Sequence, residues 1–234
     1  MDKHRQMVHG LFSRIAGRYD LMNTILSLNL DKYWRRRTME LAAPKADEHW
    51  LDVCCGTGKL AIEIRRILGN EGEVTGLDFT ASMLTVAKQA EQQANLLRPI
   101  CWIEADAMEL PFPDGTFDGV TIGFGLRNLP DIDRGICEMR RVLKPGGRLI
   151  CLELSHPVWP IFRQGHGLFV RYIVPSIGNL GHSSESDYQW LPESLRRFPG
   201  AEGLADRIRQ TNMSEVQFTR LSGGIAAVHT CVRK

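Results

Sequence analysis

At 234 residues, with 43% hydrophobic and 24% charged side chains, the chain is long enough for one large globular domain with a full core. A formal net charge of +2 is too small to argue for nucleic acid as a partner. No apolar run is long enough to span a bilayer, and Met1-Asp2-Lys3-His4-Arg5 lacks the apolar stretch of a secretory signal, so the cytosol is the expected compartment.

Residues 4–43 read as helices ahead of the first strand. Val8, Leu11, Phe12 and Ile15 recur at helical spacing, and Asp31 is placed to cap a helix through Trp34, Met39 and Leu41. Between them, Tyr19-Asp20-Leu21-Met22-Asn23 is neither cleanly periodic nor an obvious turn. It reads either as part of a packed helical hairpin or as a lid over a site downstream. Lys32, Arg35, Arg36 and Arg37 form a basic run that suits a solvated face or lipid phosphates.

The stretch from His49 to Ala61 organises the rest of the chain. An apolar run containing Val53 stops at Gly56-Thr57-Gly58, and Leu60, Ala61, Ile62, Ile64, Ile67 and Leu68 then recur at helical spacing. That is a strand, a tight glycine turn and a helix. The glycines reach backbone angles closed to other residues and let a ligand lie against bare main chain. The helix start adds unpaired N–H groups and a positive dipole end. Gly56-x-Gly58-x-x-Ala61 matches a dinucleotide fingerprint, the pattern of an NAD-dependent oxidoreductase. The other ligand is S-adenosylmethionine (SAM), for which Asp52 at the strand end would meet a cationic amine, whereas a pyrophosphate would be repelled.

Regular alternation continues. Strands at 49–54, 73–78, 99–104, 117–122 and 148–154 are separated by helices at 59–68, 81–95 and 131–143, with Lys144-Pro145-Gly146-Gly147 turning into the last of these strands. Such alternation implies an α/β fold with a parallel sheet covered on both faces, and a ligand beyond the carboxyl ends of the strands. The glycine turn, Asp78, Asp106 and Gly123 all fall at strand ends. Asp78, twenty residues after Gly58, suits the hydroxyls of a ribose, or else caps the helix before Ala81. Asp106-Ala107 suits an adenine amino group, or else a turn.

Residues 157–182 form an apolar stretch broken by Pro157, Pro160 and Pro175, too long for a loop and too interrupted for a transmembrane helix. Helices at about 187–197 and 202–211 come next, then alternating strands at 215–220 and 225–232 joined by Leu221-Ser222-Gly223-Gly224, a hairpin signal. A terminal hairpin suits the SAM-methyltransferase sheet better than a dehydrogenase. The six cysteines, without a Cys-x-x-Cys pair, read as reduced core residues, and no metal site is expected.

Several stretches, in order along nearly the whole chain, carry a family resemblance. They are Tyr19-Asp20-x-Met22-Asn23 with Trp34-Arg35, Asp52-Val-Cys-Cys-Gly-Thr-Gly58 and Leu110-Pro-Phe-Pro-Asp-x-x-Phe-Asp118. Phe124-Gly-Leu-Arg-Asn128, Arg141-Val-Leu-Lys-Pro-Gly-Gly147, Tyr188-x-x-Leu191-x-x-Ser194 and Gly224-Ile225-Ala-Ala-x-His229 complete the set. The chain resembles the menaquinone/ubiquinone C-methyltransferases, with departures at Lys59 (usually acidic), Gly123 (often Ser) and Asn212-Met213-Ser214 (Ala-Gly-Phe).

The resemblance implies a class I SAM-dependent methyltransferase (Rossmann-like) fold. It comprises a seven-stranded sheet with a terminal antiparallel hairpin, N-terminal helices and a helical insertion before the hairpin. One domain would divide into a helical lid (1–45), a SAM-binding core (46–155), a substrate cover (156–212) and the hairpin (213–234). SAM is expected against Asp52, Gly56, Thr57, Gly58, Asp78, Asp106, Ala107 and Gly123, with Phe79, Met83 and Tyr19 completing its contacts.

The implied reaction methylates a ring carbon of a reduced polyprenyl quinol, at the cytosolic membrane face without spanning it. Such a carbon attacks well only when its ortho hydroxyl, with an ordinary pKa of about 10, is partly deprotonated. Arg127 and Asn128 are expected to stabilise that charge, and His156 and Tyr188 are candidate proton acceptors. The plainer reading of Arg127 is a salt bridge to Asp131 or Asp133. A different acceptor, a SAM-binding scaffold without turnover, and pairing with a second copy of the chain are left open by the sequence.

Overall fold

The computed structural model describes residues 3–157 and 192–234. Tyr188, residues 158–182 of the apolar stretch and residues 187–191 of the helix expected at 187–197 lie outside them, whereas 192–197 are helical.

Strand β1 (His49–Val53) shows why the sheet is central. Its alternate residues bury on opposite faces, Leu51 and Val53 in one cluster and Trp50 in the other. Helices α4 (Lys59–Leu68) and α3 (Leu30–Ala42) cover the Trp50 side, with Trp34, Ala42, Leu60, Ile64 and Leu68 as the filling. Helix α6 (Ile132–Val142) and helix α7 (Ala201–Gln210) cover the other side through Ile136, Met139, Leu204 and Ile208. Each fully buried aliphatic side chain contributes roughly 1.5–3 kcal/mol over its exposed state.

The remaining strands are β2 (Glu73–Asp78), β3 (Cys101–Glu104), β4 (Phe117–Gly123), β5 (Leu143–Leu154), β6 (Met213–Leu221) and β7 (Ala226–Arg233). Together with β1 they form one seven-stranded sheet in the order β3-β2-β1-β4-β5-β7-β6. β1 to β5 are parallel, and β7 inserts antiparallel between β5 and β6. The order reverses between β1 and β4, which opens a crevice at their carboxyl ends. Helix α5 (Ala81–Gln93) returns the chain from β2 to β3.

At the amino end, α1 (Lys3–Ile15), a 3₁₀ turn (Ala16–Arg18) and α2 (Tyr19–Leu26) precede α3, so Tyr19 to Asn23 is helical. Two expectations are corrected here. Asp31 does not cap α3: Asn29 holds the N-cap position, and Asp31 is buried inside the first turn, where it pairs with Arg35 at 2.6 Å. The Lys32–Arg37 run is accordingly not a uniform solvated face, because Arg35 points inward. The second concerns Lys144-Pro-Gly-Gly147, which does not precede β5 but lies inside its span. Leu143 already pairs with Phe117, the chain then steps out, and Arg148 rejoins opposite Gly119. Trp34 Nε1 donates to Ser222 Oγ at 2.8 Å, joining the N-terminal helices to the β6–β7 connection.

Gly119 sits opposite Trp50 in the β1–β4 pairing, and a Cβ added there would lie 2.5 Å from three atoms of the Trp50 ring. That ring is also clasped by Arg148, whose guanidinium is 5.2 Å from its centroid and pairs with Glu48 at 2.5 Å. Gly119→Ala is therefore expected to destabilise the protein by about 1–3 kcal/mol, read as a lower urea midpoint. An unchanged midpoint would mean the Trp50 ring has room to move.

Candidate active site

The chain turns left-handed three times in five residues after β1, at Cys54 (φ 53°), Gly56 (φ 53°) and Gly58 (φ 78°). The two glycines serve different needs. A Cβ on Gly56 would meet only Tyr19 at 4.0 Å, so bare backbone faces open space there. A Cβ on Gly58 would strike the Trp102 ring at 2.6 Å, so this glycine admits packing rather than ligand. Trp102 is held by a 2.6 Å hydrogen bond from its Nε1 to Glu91 and also lies over Gly76.

Three carboxylates surround the turn. Asp78 is buried at the end of β2, where its Oδ2 accepts from Gly56 N and its Oδ1 from Thr80 N, both at 2.9 Å. Burial raises its pKa, and those N–H donors oppose the rise. The carboxylate lines the cleft, a placement that suits a vicinal diol. Asp52 accepts from Thr121 Oγ1 at 2.7 Å and from Ala61 N at 3.1 Å, and burial pushes its pKa up to about 7. Asp106 accepts from Met108 N at 3.0 Å after β3.

An open cleft of about 680 Å³ runs across the carboxyl ends of β1 to β4. Tyr19, Gly56, Asp78, Phe79, Met83, Asp106, Ala107, Gly123 and Asn128 line it, as do Val8, Phe12, Leu129 and Pro130. A smaller recess beside the glycine turn is lined by Asp52, Thr57, Lys59 and Arg35, and Tyr19, Gly56 and Gly123 border both spaces. Of the residues expected at the cofactor, only Gly58 lines neither. Gly123 makes room for Leu60, whose Cδ1 would lie 2.6 Å from an added Cβ.

Helix α2 crosses the recess. Its Asp20 accepts from Thr57 Oγ1 at 2.7 Å and pairs with Lys59 Nζ at 3.1 Å. The departure at position 59 thus has a local partner. Burial raises the pKa of the Tyr19 phenol, and the positive charge of Arg127 opposes this.

Arg127 pairs with neither Asp131 nor Asp133. Its Nη1 donates to Glu153 Oε1 and to Phe124 O, each at 2.6 Å, and both members of the ion pair are buried. Asp131 instead caps α6 through Arg134 N at 3.0 Å, and Asp133 pairs with Arg207 at 2.9 Å. Arg127 stands behind the cleft wall and Asn128 in it, with Asn128 Nδ2 donating to Phe124 O at 3.2 Å. His156 is exposed, lies 3.2 Å through Nε2 from Phe198 O, and lines neither space. The sequence reading missed Cys54, which borders both spaces, and Asp20 and Glu153, whose partners are far away in the chain.

A switch-point crevice with an exposed glycine backbone, Asp52 at the recess beside it and β7 antiparallel between β5 and β6 together fit the fold and site of a SAM-dependent methyltransferase. Solved structures with this fold include a SAM-dependent methyltransferase from Aquifex aeolicus (TM-score 0.63, 14% identity, 86% of this chain and 89% of that one). Another is a SAM-dependent methyltransferase, possible histamine N-methyltransferase, from Thermotoga maritima (TM-score 0.68, 18% identity, 96% and 99%). The model of the ubiE/COQ5 methyltransferase family matches residues 1–233, and the chain belongs to that family. It is 44% identical over 224 residues to the demethylmenaquinone methyltransferase of Bacillus cereus (strain ATCC 10987 / NRS 248), covering 96% of this chain and 94% of that one. SAM is accordingly its methyl donor.

The raised pKa of Asp52 gives a test with a definite sign. Its folded value of about 7 stands above the ordinary 3.8, so this group favours the folded state below about pH 4 and loses that contribution as pH rises through 7. Between about pH 5 and pH 8.5, wild type should lose on the order of 2 kcal/mol relative to Asp52→Asn, read from urea midpoints at both values. Parallel behaviour of the two proteins would show an ordinary carboxyl.

Proposed function

We propose that the acceptor is a reduced naphthoquinol carrying a polyprenyl tail, and that the protein converts demethylmenaquinol to menaquinol, the last step of menaquinone biosynthesis. The observation that carries this reading is the 44% identity, over nearly the full length of both chains, to relatives named for demethylmenaquinone. The apolar side of the cleft, from Val8 and Phe12 to Leu129 and Pro130, suits a fused ring better than a polar acceptor.

SAM supplies a methyl group on a sulfonium, an activated leaving group that needs no metal. The ring carbon attacks that methyl as its carbon–sulfur bond breaks and S-adenosylhomocysteine departs with the electron pair. The ring then loses the proton from the substituted carbon and regains aromaticity. What the protein adds is placement and charge. Asp78 holds the ribose hydroxyls, Asp106 the adenine amino group, and the Gly56 backbone lies along the amino-acid part. Asp52 in its recess would hold the amine of the donor, whose positive charge would draw that carboxyl back towards its ionised form.

Asn128 orients the acceptor hydroxyl, and Arg127, fixed by Glu153 in the wall behind, supplies a positive field for the developing phenolate. The exposure of His156 favours a water route for the proton over a histidine base. Tyr188 retains its place as a candidate acceptor on the family resemblance alone.

The test is an anaerobic assay with labelled SAM and reduced demethylmenaquinone, followed by mass analysis of the lipid. One methyl added to the ring is the expected product. Asp78→Ala should weaken SAM binding about 10–100-fold, the worth of one or two charge-assisted hydrogen bonds. Asn128→Ala should lower kcat about 10–100-fold with SAM affinity kept. SAM binding without transfer to this lipid, but with transfer to a ubiquinone precursor, would overturn the naphthoquinol assignment.

A further inference from the structure

Seven large apolar side chains are exposed among the described residues, and five of them (Met7, Leu21, Ile25, Leu28 and Tyr33) belong to the N-terminal helices. Leu21 and Ile25 lie one turn apart on α2, and Leu28 follows in the turn that closes the helix. The opposite side of the same helix carries Tyr19, Asp20 and Asn23, which border the cleft or its recess. Helix α2 is therefore polar towards the site and apolar towards solvent. Leu28 is the most telling member: it is 73% exposed and holds φ 52°, a left-handed conformation that suits glycine. Among the described residues, most of the Leu28 side chain is left without packing.

The next turn adds charge. Lys32 and Arg36 are exposed one helical turn apart on α3, with the Arg36 guanidinium 5.7 Å from the centroid of the exposed Tyr33 ring. The carboxylates of the two helices are engaged: Asp20 with Thr57 and Lys59, Asp31 with Arg35, and Glu40 with Arg36 and Arg37. An apolar stripe beside cations and an interfacial tyrosine matches an anionic bilayer surface, with aliphatic tips among the acyl chains and the basic groups at the phosphates. A second copy of the chain matches less well, because two-fold pairing of this face would set Lys32 and Arg36 against themselves.

We propose that the outer face of α2, with Leu28 at its tip and Lys32 and Arg36 beside it, is the surface through which the protein docks on anionic membranes. The idea rests on the proposed acceptor, whose polyprenyl tail resides in a bilayer. The helix that shields the methyl-transfer cleft then also touches the lipid from which the acceptor must enter.

Sedimentation with phosphatidylglycerol vesicles, compared with phosphatidylcholine vesicles, tests the surface directly. Wild type should bind the anionic vesicles, and the combined Leu21→Ser, Ile25→Ser, Leu28→Gly variant should bind about tenfold or more weakly. Lys32→Glu with Arg36→Glu should remove the preference for anionic lipid. Leu28→Gly alone relieves the backbone conformation, so a Tm equal to or above that of wild type with weaker vesicle binding would separate docking from folding. The combined variant should methylate a short-tailed acceptor in solution at the wild-type rate and a vesicle-embedded long-tailed one far more slowly.

Wild type that turns over the short-tailed acceptor but ignores both vesicle types would overturn the docking surface and leave the methyl transfer standing. Vesicle binding with no turnover of either acceptor would uphold the surface and remove the acceptor assignment. Self-association of wild type, abolished in the combined variant, would make this face a contact between chains and overturn the proposal.

Discussion

Asp52 holds three elements at one point. Its carboxylate receives the hydroxyl of Thr121 from β4 and the N–H of Ala61 from the first turn of α4, while its own backbone belongs to β1. The glycine turn is strung between β1 and α4, so its shape depends on this junction. A carboxylate at a helix start gains from the dipole and from an N–H that would otherwise be unpaired. Burial works against its charge, and a value near 7 is the balance of these effects. The same group that fixes the turn is thereby poised to respond to a cation in the recess beside it.

Helix α2 is tied to that turn by a second carboxylate. Asp20 reaches Thr57 and Lys59 with its two oxygens, so α2 is pinned to the start of α4 although the residues stand far apart in the chain. The Lys59–Asp20 pair is partly exposed and contributes at most about 1 kcal/mol. The bond from the buried Thr57 is the firmer of the two attachments. A fastening of that strength positions a helix without making its release costly, which suits a site that must admit a donor on one side and an acceptor on the other.

The sheet was legible because its signals are local. Strands buried on both faces read as apolar runs, the glycines mark the turn, and the terminal hairpin separates this fold from a dehydrogenase. The carboxylates lining the cleft and its recess were legible because strand ends converge in any sheet of this type. What escaped is what tertiary contacts decide. Nothing near Arg127 in the chain points to Glu153, which becomes its partner only because β5 lies beside β4. Asp131 and Asp133 are closer in sequence, yet a helix cap and Arg207 claim them first. Asp31 looked like a cap because its side chain suits one, but its burial against Arg35 overrode that preference. Cys54 packs against the core, as cysteine usually does, and nothing in the sequence signals that it also borders the cleft.

Fixed charge at the back of the cleft arises from the same topology. Arg127 and Glu153 are buried together, and each has further polar partners: the Phe124 carbonyl for the guanidinium, and the N–H groups of Arg127 and Leu154 for the carboxylate. Such a pair adds little to stability, since desolvation consumes most of the attraction. Its benefit is orientation. A guanidinium whose Nη1 is held at 2.6 Å by both Glu153 and the Phe124 carbonyl is fixed in place, and at the Tyr19 phenol its positive charge outweighs the opposing charge of Glu153. Charge fixed in this way is what the proposed role of Arg127 towards a developing phenolate depends on, because it needs no reorganisation as the charge forms.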